Sequence, residues 1–293
     1  MKHSIFVTGA LLLAAVLSPL GAAEISASAG MSNFAFTDSG NIQPLTMHYG
    51  TAVSFRDQLM NNLDGIVGFE CSPVNGNLLS ARASWTTSIL EISAGPSFGM
   101  LNSSSGAKEV PTLFQPGLGI GFGVTIPGIV TVNADTDFAL PPASGAAGQV
   151  YLQKSKLSVG FFLPNTICTL GINQESNSRN SLVEPRIKSI TDYGLYTEAY
   201  RKGAPWRIGV DFIYRVSDYY LGEDADENRK IGNLVLGGAL TWSPKSDFAV
   251  FVSGDGSLYS FSLTSDKVDN LDKLLFDLKA GVKITTGKIT AAR

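Results

Sequence analysis

Apolar and polar residues change places at every step along much of this chain, and that period of two limits its fold more than any other feature. Successive side chains of an extended strand point to opposite faces, whereas a helix repeats about every 3.6 residues. Residues 115–128, "QPGLGIGFGVTIPG", show the pattern at its purest. Leu118, Ile120, Phe122, Val124 and Ile126 alternate with Gly117, Gly119, Gly121, Gly123 and Thr125. The glycines invite comparison with the dinucleotide loop G-x-G-x-x-G, but the third glycine would fall on Phe122 or Val124, so the motif fails. What remains is a strand with one apolar face and one nearly bare face.

The alternation recurs throughout. Residues 45–56 set Leu45, Met47, Tyr49, Val53 and Phe55 against Thr46, His48, Gly50, Ser54 and Arg56. Residues 90–100 set Leu90, Ile92, Ala94, Phe98 and Met100 against Glu91, Ser93, Gly95 and Ser97. In 130–140, Val130, Val132, Ala134, Phe138 and Leu140 oppose Thr131, Asn133, Asp135 and Asp137. In 206–217, Trp206, Ile208, Val210, Phe212, Tyr214 and Val216 oppose Arg207, Gly209, Asp211, Arg215 and Ser217. In 275–284, Phe276, Leu278, Ala280, Val282 and Ile284 oppose Asp277, Lys279, Gly281 and Lys283. Weaker versions cover 25–36, 64–72, 79–87, 114–126, 151–163, 166–173, 190–200, 232–242 and 247–254. The expectation is fourteen antiparallel strands, twelve or sixteen if one hairpin is miscounted.

The links between these strands alternate in length. Tight ones, such as "IPG" near 127, "LPN" near 164, "RKGAP" near 203 and "SPKSD" near 245, follow even-numbered strands. Longer polar ones follow odd-numbered strands: 102–109, 174–185, 217–229 and a last one from Gly254 to about Lys273. Short turns at one rim and long loops at the other are the asymmetry of a barrel set in an outer membrane. Strands of 9–13 residues suit a tilted bilayer crossing. Trp85, Trp206 and Trp242 all fall at the short-turn end, where indole sits well between lipid tails and water. Backbone groups facing lipid need partners, so such strands close into a barrel.

The first residues bear on the compartment. "MKHSIFVTGALLLAAVLSPLGAAE" has a basic start, an apolar run and small residues before Glu24, which reads as a signal peptide over 1–23. No later run of 18 apolar residues offers a membrane helix. The remaining residues, 24–293, read as one barrel domain exported to the bacterial outer membrane. With 22 basic and 25 acidic residues, the chain has no basic face for nucleic acid. Cys71 and Cys168 are too few for a disulfide framework and fall on distant strands.

On these features the chain resembles outer-membrane barrel proteins of porin type over nearly its whole length, by architecture and not by a motif. The resemblance implies a transmembrane, up-and-down, all-β barrel whose partners are the lipid bilayer, small solutes and the barrel-insertion machinery. Such proteins usually end on an aromatic residue; this one ends "KITTGKITAAR", with Phe276 at the other end of the last strand.

Chemistry has little purchase here. His48 follows the export signal alone, without the nearby serine and asparagine that outer-membrane phospholipases place beside such a histidine. "GEDADEN" (222–228) carries the D-x-D-x-N order of a calcium loop, but Arg229 and Val235 stand where glycine and glutamate belong. The reading is therefore no enzyme, no cofactor and no metal. The expected inner face carries His48, Arg56, Arg82, Glu91, Gly117, Gly119, Gly121, Gly123, Asp135, Asp137, Lys154, Lys156, Arg207, Asp211, Arg215 and Lys279, together with Asp64, Glu70, Asp192, Glu198, Asp277 and Lys283. Their signs nearly cancel, which predicts a polar lumen of weak ion selectivity, or charges that pair and brace the wall.

Three functions compete: a passive channel for small hydrophilic solutes, an adhesin or structural barrel working through its loops, and a transporter of hydrophobic ligands. The first strand begins near Glu24 without the N-terminal hatch of fatty-acid transporters. Within the last loop, Val268, Leu271 and Leu275 have the spacing of a short helix over 264–275 capped by Ser265, suggesting a segment folded into or over the mouth.

Overall fold

The computed structural model describes residues 23–33, 47–72, 76–101, 113–139, 149–180, 186–221, 229–264 and 271–286. The export segment, the "GEDADEN" loop and the C-terminal "GKITAAR" lie outside these residues. The strands are β1 (Ala23–Ser32), β2 (His48–Met60), β3 (Leu63–Ser72), β4 (Gly76–Thr86), β5 (Leu90–Leu101), β6 (Leu113–Ile126) and β7 (Val130–Ala139). They continue with β8 (Gln149–Leu163), β9 (Thr166–Asn180), β10 (Arg186–Tyr200), β11 (Trp206–Leu221), β12 (Arg229–Lys245), β13 (Phe248–Ser262) and β14 (Phe276–Thr286). Each strand pairs antiparallel with its sequence neighbours, and β1 pairs with β14 from Ala23↔Thr286 to Ser32↔Asp277. The barrel is closed, so no strand edge is left unpaired.

Register turns the alternation into two faces. Ile92↔Phe122↔Ala134 and Phe212↔Leu236 run as cross-strand rows on the outer face, with Glu91↔Gly123↔Asn133 and Asp211↔Gly237 on the inner. Val67, Ile120, Phe122, Phe161, Leu170, Ile208, Phe212 and Val252 stay exposed on the outside. A continuous apolar belt around a closed barrel is the surface of a transmembrane barrel, stable where lipid covers it. Trp206 pairs with Trp242, their rings stacked 5.8 Å apart, at the short-turn rim. A second aromatic row lies higher: Tyr193, Tyr214, Phe261 and Tyr259, with successive ring centroids 6.3, 6.4 and 5.8 Å apart. Eight residues of β11 separate Trp206 from Tyr214; at about 3.3 Å each and about 40° tilt they span about 20 Å of height, close to the apolar band of such barrels.

Above that level the outer face turns polar, with Gln153 and Ser155 on β8, Gln174 and Ser176 on β9, and Thr191 on β10. The strands nevertheless continue, so several expected loops are shorter than the sequence pattern suggests. Residues 174–180 extend β9, 217–221 extend β11, and β13 runs to Ser262 instead of ending at Gly254. On β9 and β11 hydrophobic alternation vanishes where both faces meet water, and on β13 it is interrupted by the outward Gly254 and Gly256, while the ladder hydrogen bonds continue.

The short turns need special backbone geometry: Asn62 (φ 65°), Asn165 (φ 59°), Gly128 (φ 74°) and Gly203 (φ 82°) all adopt positive φ. Cys71 and Cys168 are free, on β3 and β9. Half of the expected helix over 264–275, residues 265–270, falls outside the described residues, and 271–275 form a turn followed by extended chain instead of a helix. Leu275 is buried against Tyr219 and Ile231, with Ile190 and Leu271 beside it. The backbone N–H and C=O of Leu275 meet Ser257, and Asn33 donates to Leu274 O and accepts from Phe276 N–H. The end of the last loop is thus held to the barrel by an extended clip, because ladder groups of β13 and a buried asparagine satisfy its backbone better than a helix turn would.

Candidate functional site

Among the described residues, four ionic clusters occupy the inner face. At the short-turn end, Arg56 (β2) reaches Asp64 at 2.6 Å and Glu91 at 3.4 Å, and Ser84 donates to Glu91 at 2.8 Å. Next, Arg82 (β4) holds Asp135 at 2.5 Å and Asp137 at 2.6 Å, both on β7. Lys154 (β8) holds Glu70 (β3) at 2.5 Å and Glu175 (β9) at 3.4 Å. Arg215 (β11) makes a two-pronged contact with Asp192 (β10), at 2.7 and 2.9 Å, and reaches Asp255 (β13) at 3.3 Å. Peripheral pairs join Arg207 to Glu198 at 3.0 Å and Lys283 to Glu24 at 2.7 Å. Guanidinium and carboxylate match in a planar fork, so arginine suits these wall-bracing positions.

The glycine face of β6 acquires its purpose from Arg82. That side chain starts on β4, crosses the inner faces of β5 and β6, and reaches β7. A Cβ on Gly119 would run into the Arg82 guanidinium and the Asp137 carboxylate. One on Gly121 would meet Ser93 Oγ, and Asp135 Oδ2 at 2.8 Å; one on Gly123 would stand 3.0 Å from Asn133 Oδ1. Ser93 and Ser97 beneath are buried. The bare track is therefore roofed by a buried ion-pair bridge. Small inner residues also let the wall bend: Cα atoms of β5 and β7 approach within 8 Å, against about 9.6 Å for two strand spacings in a flat sheet. Further along, Leu152 of β8 packs against Gly99 of β5.

The Lys154 cluster shows how far the barrel departs from a circle. Fourteen strands about 4.8 Å apart and tilted about 40° would close at a backbone diameter of about 28 Å. In that circle β3 and β8, five strands apart, would stand about 25 Å from each other. Lysine and glutamate side chains span five and four bonds of about 1.5 Å, so an ion pair between them puts their Cα atoms within about 14 Å. The lumen is pinched at Lys154–Glu70. On one side of the pinch lies a cavity of about 170 Å³ lined by small residues of β1 and β2, by His48, Glu70, Asp277 and Lys279, and by Glu175 from the opposite wall.

Among the remaining expected residues, Lys156 lies opposite Asp135 and Asn173 in the ladder, and Asp211 opposite Tyr196 and Gly237. Gly117 lies opposite Ser97 and Ala139. Trp85 pairs with Leu63 and Ile92 at the short-turn rim, on the outer face. The sequence pattern missed Glu175 and Asp255, both inside stretches assigned to loops, although each completes an ion-pair cluster. A run of alternation in polar residues alone, such as Asn173, Glu175 and Asn177, was the available signal. It also missed two apolar patches on the inner wall, Ile213 with Val235 and Tyr219 with Ile231, all buried and separated by Arg215 and Asn233.

No protein-family model and no curated relative matches the chain by sequence. Among solved structures, an outer-membrane channel from Pseudomonas putida F1 is similar at 10% identity and TM-score 0.51, covering 92% of this chain and 96% of that one. The CymD monoaromatic hydrocarbon channel aligns at 10% identity and TM-score 0.48, over 96% and 92% of the two chains. At 10% identity the likeness to the Pseudomonas putida channel is one of fold, and the fold is the closed antiparallel barrel of outer-membrane proteins.

Proposed function

We propose that this protein is an outer-membrane channel that passes small hydrophilic solutes by diffusion. The observation that carries the reading is a closed transmembrane barrel whose inner face is lined by charged and hydroxyl side chains instead of a continuous apolar core. About eight strands fill their own interior, whereas fourteen leave room, which the ion-pair clusters narrow. Residues 1–23 act as a cleaved export signal, and Lys283 pairs with Glu24 at the start of the mature chain. The barrel-insertion machinery then delivers the protein to a bilayer bounded by Trp85, Trp206 and Trp242 below and the tyrosine row above. Single-channel recording of the purified protein in planar bilayers with sodium chloride tests the reading; a barrel that never conducts would overturn it.

The inner apolar patches, Ile213 with Val235 and Tyr219 with Ile231, favour a second reading, passage of hydrophobic ligands. Leu275 of the chain itself already covers the second patch. Saturable uptake of a small aromatic hydrocarbon by vesicles containing the barrel, without salt conductance, would favour it over the first.

A further inference from the structure

The pinch and the cavity share two residues. Glu70 and Glu175 both hold the Lys154 ammonium, at 2.5 and 3.4 Å, and both line the cavity beside it. The cavity adds Asp277 and Lys279, so three carboxylates face one lysine there. Its floor is small: Ser28, Gly30, Gly50 and Ala52 leave space against the wall. The carboxylates thus already bind an ammonium, delivered from β8 on a flexible four-carbon stem, and a vacant space of solute size adjoins them.

Resting on the channel reading, we propose that Lys154 is a tethered surrogate for the permeating solute. A small organic cation bearing a primary ammonium enters the cavity, takes over Glu70 and Glu175, and releases Lys154 from the cross-lumen bridge. The channel is then selective for organic ammonium ions over anions of equal size. Lysine fits the role where arginine would not, because a single rotatable ammonium exchanges with another one for one, whereas a guanidinium fork binds its carboxylates at two points. Arginine does the bracing elsewhere in this lumen, at Arg82 and Arg215, and lysine stands at the pinch.

The test is planar-bilayer recording with n-propylammonium chloride and sodium propionate as size-matched probes, after sodium chloride conductance is established. Wild type should prefer propylammonium over propionate. Lys154→Gln should conduct more and raise that preference by about sixteenfold, since losing one unit charge at about 5 Å in a water-filled lumen weights the cation up and the anion down by about fourfold each. Glu70→Gln with Glu175→Gln should abolish the preference, while Glu175→Gln alone, which keeps the Glu70 contact, should reduce it. Each variant is confirmed as a folded barrel by its heat-dependent gel mobility. A wild type that conducts sodium chloride but shows no preference, or one that the carboxylate variants leave unchanged, overturns this inference and leaves the channel standing. A wild type and a Lys154→Gln variant that both fail to conduct sodium chloride overturn the channel reading and this inference with it.

Discussion

Replacing Arg82 by glutamine should destabilise the barrel far more than loss of a surface ion pair would. The Arg82 and Asp137 side chains are only 9% and 11% exposed, whereas Asp135 is 48% exposed. Removing one partner of a buried pair leaves an uncompensated charge and costs about 3–5 kcal/mol, while an exposed pair contributes about 0–1 kcal/mol. Most of the loss therefore falls on Asp137, which would keep its carboxylate on the inner wall with its guanidinium gone. A cost of about 3 kcal/mol lowers the folding equilibrium constant by more than a hundredfold. Asp135→Asn should cost under about 1 kcal/mol by the same reasoning. Adding Asp137→Asn to Arg82→Gln should recover much of the loss, because the stranded charge disappears. Urea unfolding of the barrel in lipid vesicles, followed by tryptophan fluorescence, measures all three variants against wild type. An Arg82→Gln barrel within about 1 kcal/mol of wild type, or one that Asp137→Asn fails to rescue, would refute the claim that this bridge is a buried brace.

Three further outcomes follow from the geometry. Gly119→Ala should destabilise the barrel by displacing Arg82 from Asp137, and the effect should shrink to about 1 kcal/mol or less in an Arg82→Gln background, read from the same unfolding curves. Trp206→Ala and Trp242→Ala should show a coupling of about 0.5–1.5 kcal/mol in a double-mutant cycle, since their rings stack on neighbouring strands. Leu275→Ala should cost about 2–5 kcal/mol because its buried contacts with Tyr219 and Ile231 are lost, and protease should then cut residues 263–275 faster than in wild type. A cleavage rate equal to that of wild type would refute the clip.

The alternation of single residues was enough to determine the strands, their faces and the closed barrel. Period two at fourteen places, with short links after every second strand, leaves few ways to satisfy both the apolar faces and the backbone. Gly119 and Arg82 were each legible as inward-facing for that reason, because facing depends only on parity within one strand. What parity cannot state is which inward residues meet. Arg82 and Asp137 are 55 positions apart and three strands distant, and Lys154 meets Glu70 across five strands; such pairs depend on how the wall curves and where strands sit in height. Curvature is a property of the closed sheet, produced jointly by the small inner residues of β5 and β6 and by the ion pairs that span them. Glu175 stayed hidden because β9 outlasts the lipid, and above it both faces are polar; Asp255 stayed hidden because the outward positions beside it, Gly254 and Gly256, carry no side chain to mark the apolar face. The sequence alone thus determined a barrel with a polar inside and a glycine track along one strand. Only the tertiary structure decided that the track lies beneath an arginine bridge and that the lumen narrows at a lysine, because both depend on charges brought together by closure.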